Sequence, residues 1–220
     1  MNYKKVVLVG ILSVGLLVGL LVGCLDAQPE QELYVDFENA ANQEKTLFDN
    51  TKTLEQLETR SQELYNQIMQ EGKEHNEAVI PKIEQAILNV DEREKLLKLE
   101  KDVLEKSQKK VASVRDYINK IEDKKLQTQA KRVEESYRNR YEAFQKMNEK
   151  YTKSFKVEKE LYGKLKDKEI KLKEINETVT SVNMLNEEIL KEKEKFNQYT
   201  KDYNEGKLTF YKAAKIKIKE

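Results

Sequence analysis

The stretch that decides the fold is residues 83–118, IEQAILNVDEREKLLKLEKDVLEKSQKKVASVRDYI. Every seventh residue in it is apolar, and partners three or four positions away, such as Ile87 and Val114, widen the row into a stripe. The row itself consists of Ile83, Val90, Leu97, Leu104, Val111 and Ile118. A β-strand, whose side chains alternate with a period of two, cannot produce this spacing. The stretch therefore predicts one long helix with a narrow apolar face.

Similar stripes cover most of the remaining chain. One set runs from Leu126 to Phe196, and a looser one runs from Leu33 to Ile68. Narrow apolar stripes on otherwise polar helices can be buried only against one another. The sequence thus predicts an all-α fold, an elongated antiparallel bundle of long coiled-coil-like helices over residues 31–205.

Three positions are candidate breaks between helices. The first is Gly72, followed by Pro81, which suits the first turn of a helix. At the other two, Asp123 and Asp167 each stand three residues before an apolar residue and could cap a new helix. These breaks favour four helices of about 35–45 residues, each about 60 Å long. A three-helix structure stays open, because the apolar rows continue almost in register past Asp167.

Composition argues against catalysis and against nucleic-acid binding. The chain has 41 Lys and Arg residues, 40 Asp and Glu residues, one histidine and one cysteine. A nearly balanced charge does not favour a polyanion as partner. A lone histidine and a lone cysteine cannot build a zinc site of His and Cys, and no glycine-rich phosphate loop is present. We therefore expect no enzyme activity, no metal and no cofactor.

The first 23 residues have the pattern of a signal peptide. Lys4 and Lys5 precede a run from Val6 to Val22 that has no charged residue. The four residues Leu21, Val22, Gly23 and Cys24 resemble the bacterial lipobox. That resemblance implies cleavage before Cys24 and attachment of a diacylglyceryl group, whose acyl chains include palmitate, to the Cys24 thiol. Residues 24–30 are then the lipid-attachment cysteine and a short linker. The protein would then be lipid-anchored at the extracytoplasmic face of the cell membrane; an uncleaved membrane anchor and an ordinary secreted form are the alternatives.

Tyrosines are concentrated in two stretches of the second half of the chain. Aromatic faces beside polar groups can serve as stacking platforms for sugars, but tyrosines also line the cores of helical bundles. Helical spacing favours the core interpretation. The candidates for ligand contact are Tyr137, Tyr141, Tyr151, Tyr162, Tyr199 and Tyr203.

Residues 206–220 are expected to form a basic C-terminal tail that begins at Gly206, either as a short amphipathic helix or frayed. In a bundle with an even number of helices, the C-terminus returns to the end where the chain starts. The tail could then touch anionic lipid headgroups.

Several segments together resemble a known family. They are the lipobox, residues 90–96 (VDEREKL), residues 140–144 (RYEAF), residues 160–162 (ELY) and residues 195–204 (KFNQYTKDYN). In their order and spacing they resemble the cell-wall-binding lipoproteins of Gram-positive bacteria, the YkyA-like family. The resemblance implies attachment at the cell envelope, and it brings no catalytic signature.

The expected function is that of a non-enzymatic envelope protein that contacts peptidoglycan or teichoic acid. The alternative is a helical scaffold or oligomer that binds a protein partner at the membrane surface. A hydrolase of wall polymers is a third hypothesis, for which the sequence nominates no catalytic residue. The oligomeric state stays open.

Overall fold

The computed structural model describes residues 28–71 and 78–218, and every regular element within these ranges is an α-helix. Residues 1–27 lie outside the described residues, and with them the predicted leader, the lipobox and Cys24. Residues 72–77, which include the predicted break at Gly72, lie outside as well. The helices are α1 (Pro29–Gln43), α2 (Thr46–Glu71), α3 (Val79–Ala112), α4 (Arg115–Lys120), α5 (Lys124–Lys164) and α6 (Leu172–Ala213).

These six helices form the four long arms of a bundle. Only two residues separate α1 from α2, and only two separate α3 from α4, so each pair continues as one arm. The arm α1–α2 packs against α3, α3 packs against α5, and α5 packs along its length against α6. The predicted all-α bundle is confirmed with four arms, because α5 ends at Lys164 and a turn separates it from α6. At about 1.5 Å per residue, α6 is about 60 Å long.

The turn between α4 and α5 is closed by two side chains. Asp123 Oδ1 accepts hydrogen bonds from the backbone N–H groups of Lys125 at 2.7 Å and Leu126 at 3.1 Å. Gln127 Nε2 donates to the carbonyl oxygens of Ile118 at 3.2 Å and Ile121 at 3.3 Å. Backbone groups at both helix ends thereby gain partners. The predicted cap at Asp123 is confirmed.

The turn between α5 and α6 differs from the predicted one. Asp167 Oδ1 accepts a hydrogen bond from the N–H of Glu169 at 2.9 Å, but α6 begins only at Leu172, so the prediction that Asp167 caps a new helix is wrong. The turn is longer because it brings Ile170 back against Leu161 and Ile175. This partly buried isoleucine covers the end of the bundle.

Three apolar clusters fill the bundle. The central cluster contains Ile83, Val90, Leu97 and Leu104 of α3 together with Phe144 and Phe196 of α5 and α6. The proximal cluster contains Leu33 and Phe37 of α1, Ile118, Ile121, Val133 of α5, and Phe210 and Tyr211 of α6. The distal cluster contains Leu161, Ile175 and Val179. All six residues of the predicted row in α3 and α4 are buried, which confirms the apolar face.

The C-terminal boundary of the bundle lies further along the chain than expected. α6 continues through Gly206 to Ala213, and Lys207, Phe210 and Tyr211 are buried, so no tail begins at residue 206. Gly206 lies here because two helices approach closely: a Cβ atom at this position would lie 3.3 Å from Val133 Cγ2. Among the described residues, no helix is both long enough and apolar enough to cross a bilayer.

Candidate functional site

Both described ends of the chain lie at the same extremity of the bundle, here called the proximal end. Tyr34, in the second turn of α1, packs with Tyr211 near the end of α6, and their ring centroids are 4.9 Å apart in an edge-to-face arrangement. Ile118 and Ile121, next to the turn before α5, belong to the same proximal cluster. The distal end, formed by the α5–α6 turn and the distal cluster, lies at the opposite extremity.

Four of the six candidate tyrosines are buried between helices. Tyr137 donates its hydroxyl hydrogen to Glu44 Oε1 at 2.6 Å, and Tyr151 donates to Glu58 Oε1 at 2.9 Å. Burial, together with the neighbouring carboxylates, raises the pKa of both phenols. Tyr162 hydrogen-bonds with Ser61, and burial raises its pKa to about 12. Tyr203 is buried too, so none of these four rings is available to a ligand at the surface.

The other two candidates, Tyr141 and Tyr199, are half-buried on α5 and α6. Both pack against the central cluster, and the Tyr141 hydroxyl accepts a hydrogen bond from Gln145 Nε2 at 3.4 Å. Part of each ring stays accessible to solvent. Of the predicted aromatic platform, only these two tyrosines remain candidates for ligand contact.

A buried arginine joins three arms in the distal half of the bundle. Arg93 of α3 forms an ion pair with Glu158 of α5, and its Nη2 donates to Ser61 Oγ of α2 at 3.3 Å. Its guanidinium also lies 5.1 Å from the centroid of the Phe155 ring. Burial alone would lower the pKa of Arg93, but the Glu158 carboxylate outweighs it and the pKa is raised. The Arg93 guanidinium therefore stays charged, and its contacts with Glu158 and Ser61 hold the three arms in register.

A second buried arginine lies at the junction of α1 and α2. Arg140 of α5 forms an ion pair with Glu44 at 2.7 Å, and its Nε donates to Thr200 Oγ1 of α6 at 2.8 Å. Its guanidinium lies 4.7 Å from the centroid of the Phe196 ring. Since Glu44 follows the last residue of α1, this arginine fixes the point at which the first arm passes from α1 to α2.

A third buried ion pair joins the first and last arms. Lys207 Nζ of α6 lies 2.9 Å from Glu38 Oε1 of α1, and the Tyr211 hydroxyl donates to the same oxygen at 2.9 Å. The side chains of Lys207 and Glu38 are only 10% and 11% exposed. Lys207 is therefore part of the bundle and cannot serve as a surface cation of a basic tail.

Glu100 of α3 is a buried carboxyl group without a hydrogen-bond partner for its Oε1 among the described residues. Burial raises its pKa to about 7; Lys193 opposes this effect, and the Glu58 carboxylate adds to it. A carboxyl with such a pKa changes its charge near neutral pH.

Sequence reasoning missed all of these buried polar groups, although α3 carries a signal for two of them. Ala86, Arg93, Glu100 and Ser107 are spaced by seven residues and lie three positions after members of the apolar row. All four are buried. A charged residue that falls on the core-facing row of a heptad pattern predicts a buried polar contact.

Two surface grooves are lined mainly by polar and charged side chains. One, of about 390 Å³, lies along α4 and α5 and includes Arg115, Lys131 and Arg138. The other, of about 640 Å³, lies on the first turns of α6 near the distal end. Its lining consists of Leu172, Lys173, Asn176, Glu177, Thr180 and Ser181. Across residues 28–71 and 78–218, no three His, Cys, Asp or Glu side chains gather as metal ligands.

Comparison with known protein families identifies the family to which this chain belongs. A match to the family YkyA, described as "Putative cell-wall binding lipoprotein", covers residues 28–213. The chain belongs to this family. The YkyA match ends at the last residue of α6, so it spans the bundle and stops before the final residues.

A relative supports the same assignment. The chain is 29% identical over 201 residues to "Uncharacterized lipoprotein YkyA" of Bacillus subtilis (strain 168). The aligned region covers 91% of this chain and 90% of the relative. No solved structure matches the chain. Since both names describe lipoproteins, the YkyA family is one of lipoproteins, and the resemblance expected from the sequence is confirmed.

Proposed function

We propose that this YkyA-family protein is a non-enzymatic, lipid-anchored component of the cell envelope whose helical bundle binds the cell wall. The observation that carries the proposal is the position of Pro29, which begins α1 at the proximal end only five residues after Cys24. A diacylglyceryl group on Cys24 holds the proximal end at the membrane. Two acyl chains, at about 0.8 kcal/mol per buried CH₂, suffice for stable attachment.

This orientation directs the distal end away from the membrane. At about 1.5 Å per residue, α5 and α6 reach about 60 Å from the proximal end, into the region occupied by the wall. The distal groove along α6 presents the Asn176 amide and the Thr180 and Ser181 hydroxyls. The Thr180 and Ser181 hydroxyls donate to the carbonyl oxygens of Asn176 at 2.8 Å and Glu177 at 3.0 Å, so towards a ligand they act as acceptors of hydrogen bonds from glycan hydroxyls. The Asn176 amide can also donate, either to a glycan hydroxyl or to a phosphate of a teichoic acid. We assign peptidoglycan or teichoic acid as the ligand class of this surface.

Replacement of Cys24 by serine is expected to abolish incorporation of labelled palmitate and to release the protein from the membrane fraction. Serine keeps the size of the side chain but lacks the nucleophilic thiol that accepts the diacylglyceryl group. Metabolic labelling followed by cell fractionation measures both effects. Equal labelling of the wild type and Cys24→Ser would contradict lipid attachment at Cys24.

An oligomeric scaffold is the second candidate, because α3 has two leucines on its outer surface. Leu88 is 60% exposed and Leu99 is 53% exposed. They stand eleven residues apart, which is about three helical turns and places them on one face. Sedimentation velocity of the unlipidated chain decides between the candidates. A monomer excludes the scaffold built on these leucines, whereas a dimer that Leu88→Lys dissociates supports it.

A further inference from the structure

The residues after α6 are held in a defined conformation at the proximal end. The N–H of Ile216 donates to the carbonyl oxygen of Tyr211 at 2.9 Å, and the N–H of Lys215 donates to that of Lys212 at 3.2 Å. Lys215 has φ of 55°. Together these features form a Schellman motif, with lysine at the left-handed position that glycine usually occupies. The chain therefore leaves the helix axis at a fixed point.

Side chains beyond this point alternate between the bundle and solvent. Ile216 and Ile218 are half-buried and pack against the proximal cluster, whereas Lys215 and Lys217 are exposed. An extended segment places successive side chains on opposite sides. Anchoring of the two isoleucines consequently fixes both lysines on the outer surface of the proximal end.

A second group of lysines lies at the same end, around the α4–α5 turn. Lys120, Lys124 and Lys125 are exposed. Tyr117 and Leu126, which flank this turn, pack against the proximal cluster as Ile216 and Ile218 do. The acidic residues at this end are the exposed Asp116, Glu122 and Asp123 of the turn region and the half-buried Glu30 and Glu32 of the first turn of α1. The Asp123 carboxylate points to the N–H groups that it caps at the start of α5.

We propose that these five lysines, here called the basic end, dock the bundle on anionic phospholipid headgroups. The inference rests on the proposed function, because lipid attachment at Cys24 brings this end to the membrane. Five residues of fully extended chain span at most about 17 Å, so α1 cannot move far from the headgroups. Lysines close to an anionic bilayer surface are attracted to it, and the attraction weakens with salt. Docking thereby sets the bundle upright, with the distal end outward.

The test uses the mature protein purified from cells, with a fluorophore on a cysteine that replaces the exposed Ala213. Vesicles of phosphatidylcholine, with or without phosphatidylglycerol, carry a quencher on their headgroups. Flotation with pure phosphatidylcholine vesicles reports the lipid anchor by itself. The basic end is reported by the difference between the two vesicle types. In low salt, we expect phosphatidylglycerol to raise the quenching of the fluorophore, or the fraction of protein bound to vesicles, by roughly a factor of two or more.

Two triple variants separate charge at the basic end from charge in general. Replacement of Lys124, Lys215 and Lys217 by glutamine is expected to abolish the effect of phosphatidylglycerol. Replacement of the exposed distal lysines Lys168, Lys171 and Lys173 by glutamine should leave it unchanged. Equal signals with both vesicle types for the wild type would overturn the proposal, whether or not the protein floats. The proposal would also be overturned if both triple variants lost the effect of phosphatidylglycerol to the same extent. A third contradicting result would be binding to teichoic acid that depends on the basic end while phosphatidylglycerol has no effect.

Discussion

Replacement of Arg140 by alanine is expected to lower the free energy of unfolding by about 3–5 kcal/mol. The Arg140 side chain is only 4% exposed, and its partner Glu44 is 13% exposed. Without the guanidinium, the largely buried Glu44 carboxylate keeps the Tyr137 hydroxyl as its one side-chain donor among the described residues. The cation–π contact with Phe196 is lost as well. Urea denaturation followed by far-UV circular dichroism measures the change.

Arg138 provides a matched control two residues away on the same helix. Its side chain is 41% exposed, and its ion-pair partners in the described part of the chain are the exposed Glu135 and Glu142. Since exposed ion pairs contribute little, Arg138→Ala should change the free energy of unfolding by less than about 1 kcal/mol. If both variants lost the same amount of stability, the buried pair would have no special role in fixing the α1–α2 junction.

Replacement of Glu100 by glutamine is expected to stabilise the bundle at pH 8 by on the order of 2–3 kcal/mol. Burial raises the pKa of this carboxyl in the folded protein from its usual 4.5 to about 7. Well below pH 4.5 the group is protonated in both the folded and the unfolded chain, so it does not lower the free energy of unfolding. As pH rises above 4.5 the unfolded chain ionises first, so the stability of the wild type falls until the folded protein also ionises near pH 7.

Glutamine has no proton to lose and should remove this part of the pH dependence. The measurement is the free energy of unfolding of the wild type and Glu100→Gln at several pH values from 4 to 8. Glu92→Gln, at an exposed position of the same helix, serves as the control and should leave the wild-type curve unchanged. A constant difference between the wild type and Glu100→Gln at all pH values would contradict a raised pKa at this site.

The predicted parts of the fold are those that depend on spacing alone. The seven-residue row of α3 identified its buried face, and Asp123 identified the start of α5, because both signals are local. Asp167 failed as a cap for a tertiary reason: packing of Ile170 into the distal cluster lengthens the turn. A local pattern of residues does not contain this information.

Gly206 and Lys207 show how composition can mislead. Glycine followed by many lysines predicted a separate basic tail from residue 206, either as a short amphipathic helix or frayed. Instead, Lys207 lies four residues after Tyr203 and three before Phe210, on the core face of α6. The missing side chain at Gly206 admits Val133, and Glu38 neutralises Lys207. Both partners are distant in sequence, and they become neighbours only when the four arms assemble.

The most direct test of wall binding is cosedimentation of the unlipidated mature protein, Cys24→Ser, with purified cell-wall sacculi, with and without their teichoic acids. We expect saturable binding to at least one of the two preparations, because the bundle contacts the wall through its own surface and not through the lipid. Protein that stays in the supernatant with both preparations, at every concentration used, would contradict a wall-binding function.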